Sequence, residues 1–176
     1  FYSREFFVNS QTLDPRPETE LIIDLIKSLE RKMSKSIKIL DLGTGTGCII
    51  ISLYLELNKK KISVTGDAVD ISKEALQIAN KNARHHNVGS KINFFKSNWF
   101  SNIKNKFDII VSNPPYIKKS EIKSLPLEVK NFDPEVSLCG GHDGLNAYRI
   151  IANEAKDYLK KNGFLLVEVG SNQSKK

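Results

Sequence analysis

Apolar runs of strand length alternate with helical patterns along this chain of 176 residues, and that alternation predicts an α/β fold. We expect a mostly parallel sheet covered by helices on both faces, in one domain with a single core. The glycine cluster at Gly43, Gly45 and Gly47 supports this prediction, because it ends the first strand and opens the next helix.

The helices and strands follow from local patterns. Apolar residues from Leu21 to Leu29 recur with helical spacing, which predicts a helix over residues 17–34 with Pro17 in its first turn. Ser72 is a favourable N-cap for a later helix, and prolines break the stretch 113–144 into irregular structure. The other predicted helices span residues 49–57, 72–86 and 145–160, and the predicted strands span residues 37–42, 62–70, 91–96, 107–111 and 164–169.

Composition excludes several classes of protein. Hydrophobic residues make up 40% and charged residues 27%, unlike a disordered chain, and no apolar run approaches the roughly 18 residues that cross a bilayer. Cys48 and Cys139 cannot build a disulfide framework, and no zinc-type spacing is present, so we expect no metal. The net charge of +7 comes mostly from scattered lysines, so nucleic acid binding is compatible with the sequence but not required.

The turn after the first strand, Asp41 to Gly47, has the spacing G-x-G-x-G and not the G-x-G-x-x-G of dinucleotide-binding proteins. A parallel sheet binds its ligand at the carboxyl ends of its strands, where this turn lies. Because Asp41 would repel a phosphate, a cationic ligand without phosphate, such as S-adenosylmethionine, fits better. We expect Gly43, Thr44, Gly45, Thr46 and Gly47 to contact it.

Two further strand ends carry candidate ligands of the same molecule. Asp70 could accept hydrogen bonds from a ribose diol, and it is favoured over Asp67 because it lies nearer the end of its strand. Asn98 could meet the edge of an adenine ring, and Trp99 could pack on its face. The alternative for Trp99 is a core anchor.

The fourth strand ends in Asn113-Pro114-Pro115-Tyr116. A residue before proline is held extended, so this turn is rigid and rich in acceptors, with the Asn113 side-chain oxygen and the Pro114 carbonyl exposed to a ligand. Two such acceptors match a planar NH₂ group, and Tyr116 offers it a flat face. Accepting both hydrogens would direct the nitrogen lone pair at a sulfonium methyl.

These motifs resemble those of the HemK/PrmC family, the protein-(glutamine-N5) methyltransferases of class 1 peptide chain release factors. Residues 15–20 read PRPETE, residues 138–145 resemble L-x-G-G-x-D-G-L, and residues 168–173 resemble E-x-G-x-x-Q. The first six residues resemble F-x-G-x-x-F, with Ser3 in place of the usual glycine. Asn98 stands where the family usually has aspartate.

The resemblance implies a class I S-adenosylmethionine-dependent methyltransferase with a Rossmann-like fold, acting in the cytoplasm on the glutamine of a GGQ-type sequence. It implies a cofactor site at Asn113 and the residues above, catalysis by Asn113, Pro114 and Tyr116, and a glutamine pocket formed with Pro115, with Arg16 and Glu18 at its rim. No membrane contact is expected.

The same resemblance bears on domain organisation. We expect residues 1–36 to form an N-terminal segment with the leading helix and residues 37–176 to form the methyltransferase core. The family also has an N-terminal helical domain that binds the release factor and two closing strands, so we expect this chain, which begins at Phe1, to be a fragment.

Two other functions fit parts of the pattern. An adenine-N6 methyltransferase of DNA or RNA would present an exocyclic amine to the same acceptors, with its base flipped onto Tyr116. A catalytically silent binding module could keep the fold alone. The PRPETE and GGHDGL segments favour glutamine, and the intact Asn-Pro-Pro-Tyr turn argues against a silent module.

Overall fold

The computed structural model describes residues 1–171 and 173, so residues 172 and 174–176 of the expected core lie outside the described part. Its centre is a five-stranded sheet in the order β3-β2-β1-β4-β5, and all neighbouring strands are parallel. The parallel α/β fold is therefore confirmed. The strands are β1 (Ser36–Leu42), β2 (Ser63–Asp70), β3 (Ile92–Lys96), β4 (Phe107–Ser112) and β5 (Leu159–Val167).

Helices cover both faces of the sheet. One buried cluster joins Ile39 of β1 and Ile109 of β4 to helices on the first face, and a second joins Leu40 and Ile110 to Ile151 on the opposite face. Odd and even strand positions thus alternate between two cores, as expected for a sheet buried on both sides. The helices are α1 (Glu20–Ser28), α2 (Cys48–Lys59), α3 (Lys73–His85), α4 (Leu127–Phe132), α5 (Glu135–Leu138) and α6 (Asn146–Tyr158).

The structure corrects the bounds of the first helix. The expected helix 17–34 is a 3-10 turn at Pro17–Thr19, then α1, then a second 3-10 turn at Glu30–Lys32. The helix stops early because Met33 is already extended and leads the chain into β1.

The last helix and strand also differ from expectation. The expected helix 145–160 ends at Tyr158, because Leu159 pairs with Phe107 and begins β5. The register then shifts so that Phe164 pairs with Ile109, and Asn162, at φ 63°, turns the chain between the two pairings. β5 ends at Val167, two residues before the expected end at Val169.

The stretch 113–144 is mostly irregular but contains α4 and α5. Pro126 and Pro134 immediately precede these two helices, at the N-cap. Proline was expected only to interrupt structure here. Because its φ is already near the helical value and the first helical N–H groups need no partner in the helix, proline can equally begin one.

The N-terminal segment lies across α3 and is fixed by one buried side chain. Asn82 of α3 is fully buried; its Oδ1 accepts a hydrogen bond from the Phe7 N–H at 2.7 Å, and its Nδ2 donates to the Phe7 carbonyl at 3.0 Å. The same Nδ2 donates to the Thr46 carbonyl at 2.8 Å. The segment and the glycine turn are therefore attached to the same amide. Within the described residues, every helix is too short or too polar to cross a membrane.

Candidate active site

A cavity of about 300 Å³ opens at the carboxyl ends of β1, β2 and β4. The N-terminal segment at residues 11–16 and the stretch around α5 form its other walls. Of the residues expected from the sequence, the cavity is lined by Gly43, Thr44, Gly45, Thr46, Asp70, Asn98, Trp99, Asn113, Pro115 and Arg16. The expected site residues from five separate chain segments thus meet at one cavity.

The glycine turn is fixed to the end of β2. Gly45 has φ 54°, which an L side chain rarely adopts, and its N–H donates to Asp70 Oδ2 at 2.9 Å. The Thr44 N–H donates to the Val69 carbonyl at 2.9 Å. Gly47 ends the turn as the N-cap of α2, with its own positive φ, and contacts α3 and not the cavity. The turn therefore presents bare backbone to a ligand in one defined position.

Asp41 is the buried acid below this turn. Its Oδ2 accepts a hydrogen bond from the Thr44 hydroxyl at 2.7 Å, whereas its Oδ1 has no hydrogen-bond partner in the described part of the chain. Burial raises the pKa of Asp41 to about 7, against the hydrogen bond from Thr44, and the nearby charge of Asp70 adds to the increase. Asp41 does not itself line the cavity, but an unpaired carboxylate oxygen below the turn favours a cation over an anion nearby.

Asp70 is held so that both carboxylate oxygens keep free acceptor positions. Oδ1 accepts from the Ser72 N–H and Oδ2 from the Gly45 N–H, each at 2.9 Å. A carboxylate has about four acceptor positions, so each oxygen can take a second donor from the cavity. Burial raises the pKa of Asp70 despite these bonds. The competing Asp67 instead pairs with Lys38 at 3.0 Å, away from the cavity wall.

Asn98 and Trp99 lie where β3 gives way to the next loop. Trp99 has φ 49°, and its carbonyl accepts a hydrogen bond from the buried Ser97 hydroxyl at 2.8 Å. Trp99 both lines the cavity and packs against the second core cluster. It is therefore placed to contact a ligand and to anchor the core at the same time. Ile71, which is 48% exposed, adds an apolar wall beside Asp70.

The Asn-Pro-Pro-Tyr turn is only partly in the cavity wall. Asn113 and Pro115 line the cavity, whereas Pro114 is buried and the half-buried Tyr116 lies beside the wall. Neither Asn113 Oδ1 nor the Pro114 carbonyl accepts a hydrogen bond from the described residues. Burial, the charge of Glu168 and a hydrogen bond at 3.4 Å from its own hydroxyl to Glu168 raise the pKa of Tyr116. The turn thus keeps two acceptors for a ligand.

The rim residues differ in their environment. Arg16 lines the cavity and donates to Asp133 Oδ2 at 2.5 Å, which ties residues 11–16 to the end of α4. Glu18 is exposed and outside the wall, yet its charge raises the pKa values of Tyr116 and Glu168. Both residues therefore lie at the side of the cavity where Tyr116 is found.

Three residues that hold the turn lie in the PRPETE and E-x-G-x-x-Q segments, but they were not expected in the site. Thr19 is 2% exposed; it accepts a hydrogen bond from Asn113 Nδ2 at 3.0 Å and donates to Glu168 Oε2 at 2.5 Å. Gln173 Nε2 donates to the Tyr116 carbonyl at 2.9 Å. Glu168 directly follows β5, so the rule of inspecting strand ends could have found it. Thr19 lies within the PRPETE segment, which marks this region but assigns Thr19 no role of its own.

The described residues contain no cluster of three or more His, Cys, Asp or Glu side chains suited to a metal ion. What the cavity offers instead is the Asp70 carboxylate, the backbone of the glycine turn and the free Asn113 oxygen, with the unpaired carbonyl of the buried Pro114 next in the chain. Such a set can hold a cationic molecule with hydroxyl groups and can orient an NH₂ group next to it.

Comparison with known proteins adds a family and named relatives. The methyltransferase small domain family matches residues 17–128. A bifunctional methyltransferase of Rickettsia bellii is 42% identical over 99% of this chain, and a release factor glutamine methyltransferase of Agrobacterium fabrum is 43% identical over 98%. The chain spans 35% and 60% of the lengths of these two relatives.

The fold also matches solved methyltransferases. The hMettl16 catalytic domain in complex with the MAT2A 3′UTR hairpin 6 covers 97% of this chain with a TM-score of 0.74, and the match spans 63% of that chain. Sequence identity is 18%, so this likeness concerns the fold alone.

Proposed function

The chain belongs to the methyltransferase small domain family, and from that premise we propose that it methylates the side-chain amide nitrogen of a glutamine in class 1 peptide chain release factors, with S-adenosylmethionine as methyl donor. The observation that carries the proposal is the Asn113 amide, whose Oδ1 is free and whose Nδ2 is engaged at 3.0 Å, at the wall of a cavity suited to a cationic ligand. The relatives named release factor glutamine methyltransferase support the choice of glutamine.

The cofactor would lie against the glycine turn and Asp70, on the cavity side of both. Asp70 has free acceptor positions for a ribose diol, Ile71 and Trp99 offer apolar faces for an adenine ring, and Asn98 is placed to meet its edge. The unpaired oxygen of Asp41 favours the positive charge of the molecule. When bound, S-adenosylmethionine supplies an electrophilic methyl group on a sulfonium.

The acceptors of the turn would make the amide nitrogen reactive. A planar amide is a poor nucleophile because its nitrogen lone pair is delocalised into the carbonyl group. Asn113 Oδ1 and the Pro114 carbonyl would each accept one N–H of the substrate, which favours a pyramidal nitrogen with its lone pair directed at the methyl group. The N–CH₃ bond would form as the S–CH₃ bond breaks, the sulfur would leave as a neutral thioether, and the nitrogen would lose one proton to solvent. Pro115 and Tyr116 would confine the substrate side chain, with Arg16 and Glu18 at the rim.

The proposal includes the biological setting. Release factors act in the cytoplasm, so we place the reaction there, with the release factor as protein partner and no nucleic acid required. Residues 1–36 would serve as the segment that closes the cavity, and residues 37–176 as the catalytic core.

Transfer of labelled methyl groups tests the proposal. We expect purified protein with radiolabelled S-adenosylmethionine to label a class 1 release factor, and to leave unlabelled both the release factor with its GGQ glutamine replaced by alanine and a mixed oligonucleotide. Label on the oligonucleotide would instead identify an adenine-N6 methyltransferase, since an exocyclic amine fits the same acceptors.

The variant Asn113→Ala tests the role of the turn. It should lower turnover on the release factor by at least about 100-fold, because the loss of a preorganised acceptor acts on the transition state. Cofactor affinity, measured by isothermal titration calorimetry, should stay within about threefold of wild type. Unchanged turnover in this variant would contradict the proposed chemistry.

A further inference from the structure

Three side chains form a directional chain of hydrogen bonds behind the Asn-Pro-Pro-Tyr turn. Asn113 Nδ2 donates to Thr19 Oγ1 at 3.0 Å, and the Thr19 hydroxyl donates to Glu168 Oε2 at 2.5 Å. Glu168 Oε1 accepts from the Tyr116 hydroxyl at 3.4 Å. One carboxylate therefore contacts, directly or through Thr19, both the first and the last residue of the turn.

The direction of this chain is set by Glu168. An ionised carboxylate only accepts hydrogen bonds, and a threonine hydroxyl has a single proton. Because that proton is given to Glu168, Thr19 can offer only an acceptor to Asn113. The amide must then point its NH₂ group at Thr19, and its oxygen at the other side.

The orientation matters because a side-chain amide is nearly symmetric in shape. Turned by 180°, Asn113 would present an NH₂ group to the cavity, and a donor facing the NH₂ of a substrate forms no hydrogen bond. Proline rigidity fixes the backbone of the turn but not this rotation, which needs a hydrogen-bond partner of the amide itself.

From this geometry we infer that Thr19 and Glu168 are positioning residues that hold the Asn113 amide with Oδ1 toward the substrate nitrogen. The inference rests on the proposed function, because it explains how that site would select a substrate that offers an NH₂ group. Thr19 is suited to the role because it is buried at the start of α1, which packs on the same sheet face as α2. Glu168 is suited because its backbone N–H donates to the Ser112 carbonyl at 3.0 Å, next to the turn.

The matched pair Thr19→Val and Thr19→Ser tests the hydroxyl directly. Valine keeps the shape but removes the hydrogen bonds, so kcat should fall by at least about tenfold with cofactor affinity within about threefold of wild type. Serine keeps the hydroxyl and should recover most of the lost kcat. Thr65→Val, on an exposed position of β2, controls for the substitution itself and should leave turnover unchanged.

A second measurement does not depend on activity. In protein labelled with ¹⁵N at asparagine side chains, the Asn113 NH₂ protons should exchange with solvent at least about tenfold faster in Thr19→Val than in wild type or Thr19→Ser, because the hydrogen bond is lost. The signal is assigned by its disappearance in Asn113→Asp.

Each outcome decides one question. Equal turnover or equal amide exchange in wild type and Thr19→Val would overturn the positioning role, as would a Thr19→Ser variant no better than Thr19→Val. A wild-type protein that fails to label any release factor contradicts the proposed function instead, and the exchange measurement then still decides whether Thr19 orients Asn113.

Discussion

Asp41 has two carboxylate oxygens in unequal environments, one bonded to Thr44 and one without a partner among the described residues. With a pKa raised by burial to about 7, it is partly protonated in the empty protein near neutral pH. A cationic ligand favours the ionised form and lowers the pKa, so binding near neutral pH releases a proton.

Cofactor affinity should therefore rise with pH. Protonated Asp41 weakens attraction to a cation, so the affinity for S-adenosylmethionine should increase by about tenfold between pH 6 and pH 8 and then level off. Asp41→Asn should bind weakly and lose this dependence, whereas Asp67→Asn, away from the cavity, should keep it. Calorimetric titration at several pH values measures both; a wild-type affinity that is the same at pH 6 and pH 8 would contradict the role of Asp41.

Asp70 provides an independent test of the cofactor position. Asp70→Ala should weaken S-adenosylmethionine binding by at least about tenfold, or roughly 1.4 kcal/mol, because both proposed ribose acceptors are removed. Asp70→Asn, which keeps one oxygen, should lie between this variant and wild type in the same calorimetric assay. An unchanged dissociation constant in Asp70→Ala would place the ribose elsewhere.

Some residues of the site could be predicted from local sequence, and others could not. Asp70 and the glycine turn could be predicted because each directly follows a strand, and parallel strands bring their carboxyl ends together. Thr19 and Glu168 are 149 residues apart, and their contact exists only because α1 folds onto the sheet beside β5. No pattern within either segment encodes that contact.

Among the elements, the N-terminal segment has the most unusual backbone. Tyr2 and Ser3 have φ values of 52° and 57°, both in the left-handed region that favours glycine. This geometry gives a physical reason for the glycine that the resembled family has at the third position, and it leaves Ser3 in a strained conformation.

Ser3→Gly should stabilise the protein. Removing the strain of the left-handed conformation should raise the free energy of unfolding by about 1 kcal/mol. Part of this gain is offset because glycine has more conformational freedom in the unfolded chain. Urea unfolding should show a higher midpoint for this variant than for wild type. Ser120→Gly, at a position without a positive φ, is the matched control and should give no gain; a Ser3→Gly midpoint at or below that of wild type would contradict the strain.

The elements also show where local patterns fail to locate boundaries. The boundaries of β1 to β4, α2 and α3 lie within two residues of those expected, because apolar spacing and helix caps are local signals. The Ser72 cap is an example, since its Oγ accepts a hydrogen bond from the Ala75 N–H at 3.1 Å. The start of β5 was missed because its signal is pairing with Phe107, some fifty residues earlier in the chain. α4 and α5 are short, and local sequence there does not separate a helix start from a turn.

In the molecule as a whole, the resemblance inferred from motifs is confirmed by relatives named release factor glutamine methyltransferase at 43% and 42% identity. The glycine turn, Asp70 and the Asn-Pro-Pro-Tyr turn lie at strand ends, where the fold concentrates its ligand contacts, whereas PRPETE and GGHDGL lead into helices.

Acid stability is a property of the whole molecule that one ion network should control. Glu56 of α2, whose side chain is 11% exposed, pairs with Arg4, with Lys27 at 3.3 Å and with Lys59 at 2.7 Å, which joins the N-terminal segment, α1 and α2. Burial alone would raise the pKa of Glu56, but hydrogen bonds from Lys59, Arg4 and Lys27 outweigh it and lower the pKa to about 2.

A lowered pKa means that this stabilisation is complete above the unfolded value, near pH 4.5, and is lost as the pH falls to 2. Glu56→Gln should therefore reduce the free energy of unfolding by about 2 kcal/mol at pH 7, with the difference shrinking toward zero near pH 2. Denaturant unfolding across this range measures it, with the exposed Glu128→Gln as control. Equal stability of Glu56→Gln and wild type at pH 7 would contradict the network's role.

Asn82 holds the Phe7 backbone and the Thr46 carbonyl with one buried amide. If the first residues detached, that amide would be left unsatisfied in the interior, so the N-terminal segment and the glycine turn should open as a single cooperative unit. A molecule bound at the turn would then slow hydrogen exchange at Phe7, a backbone position that it never touches.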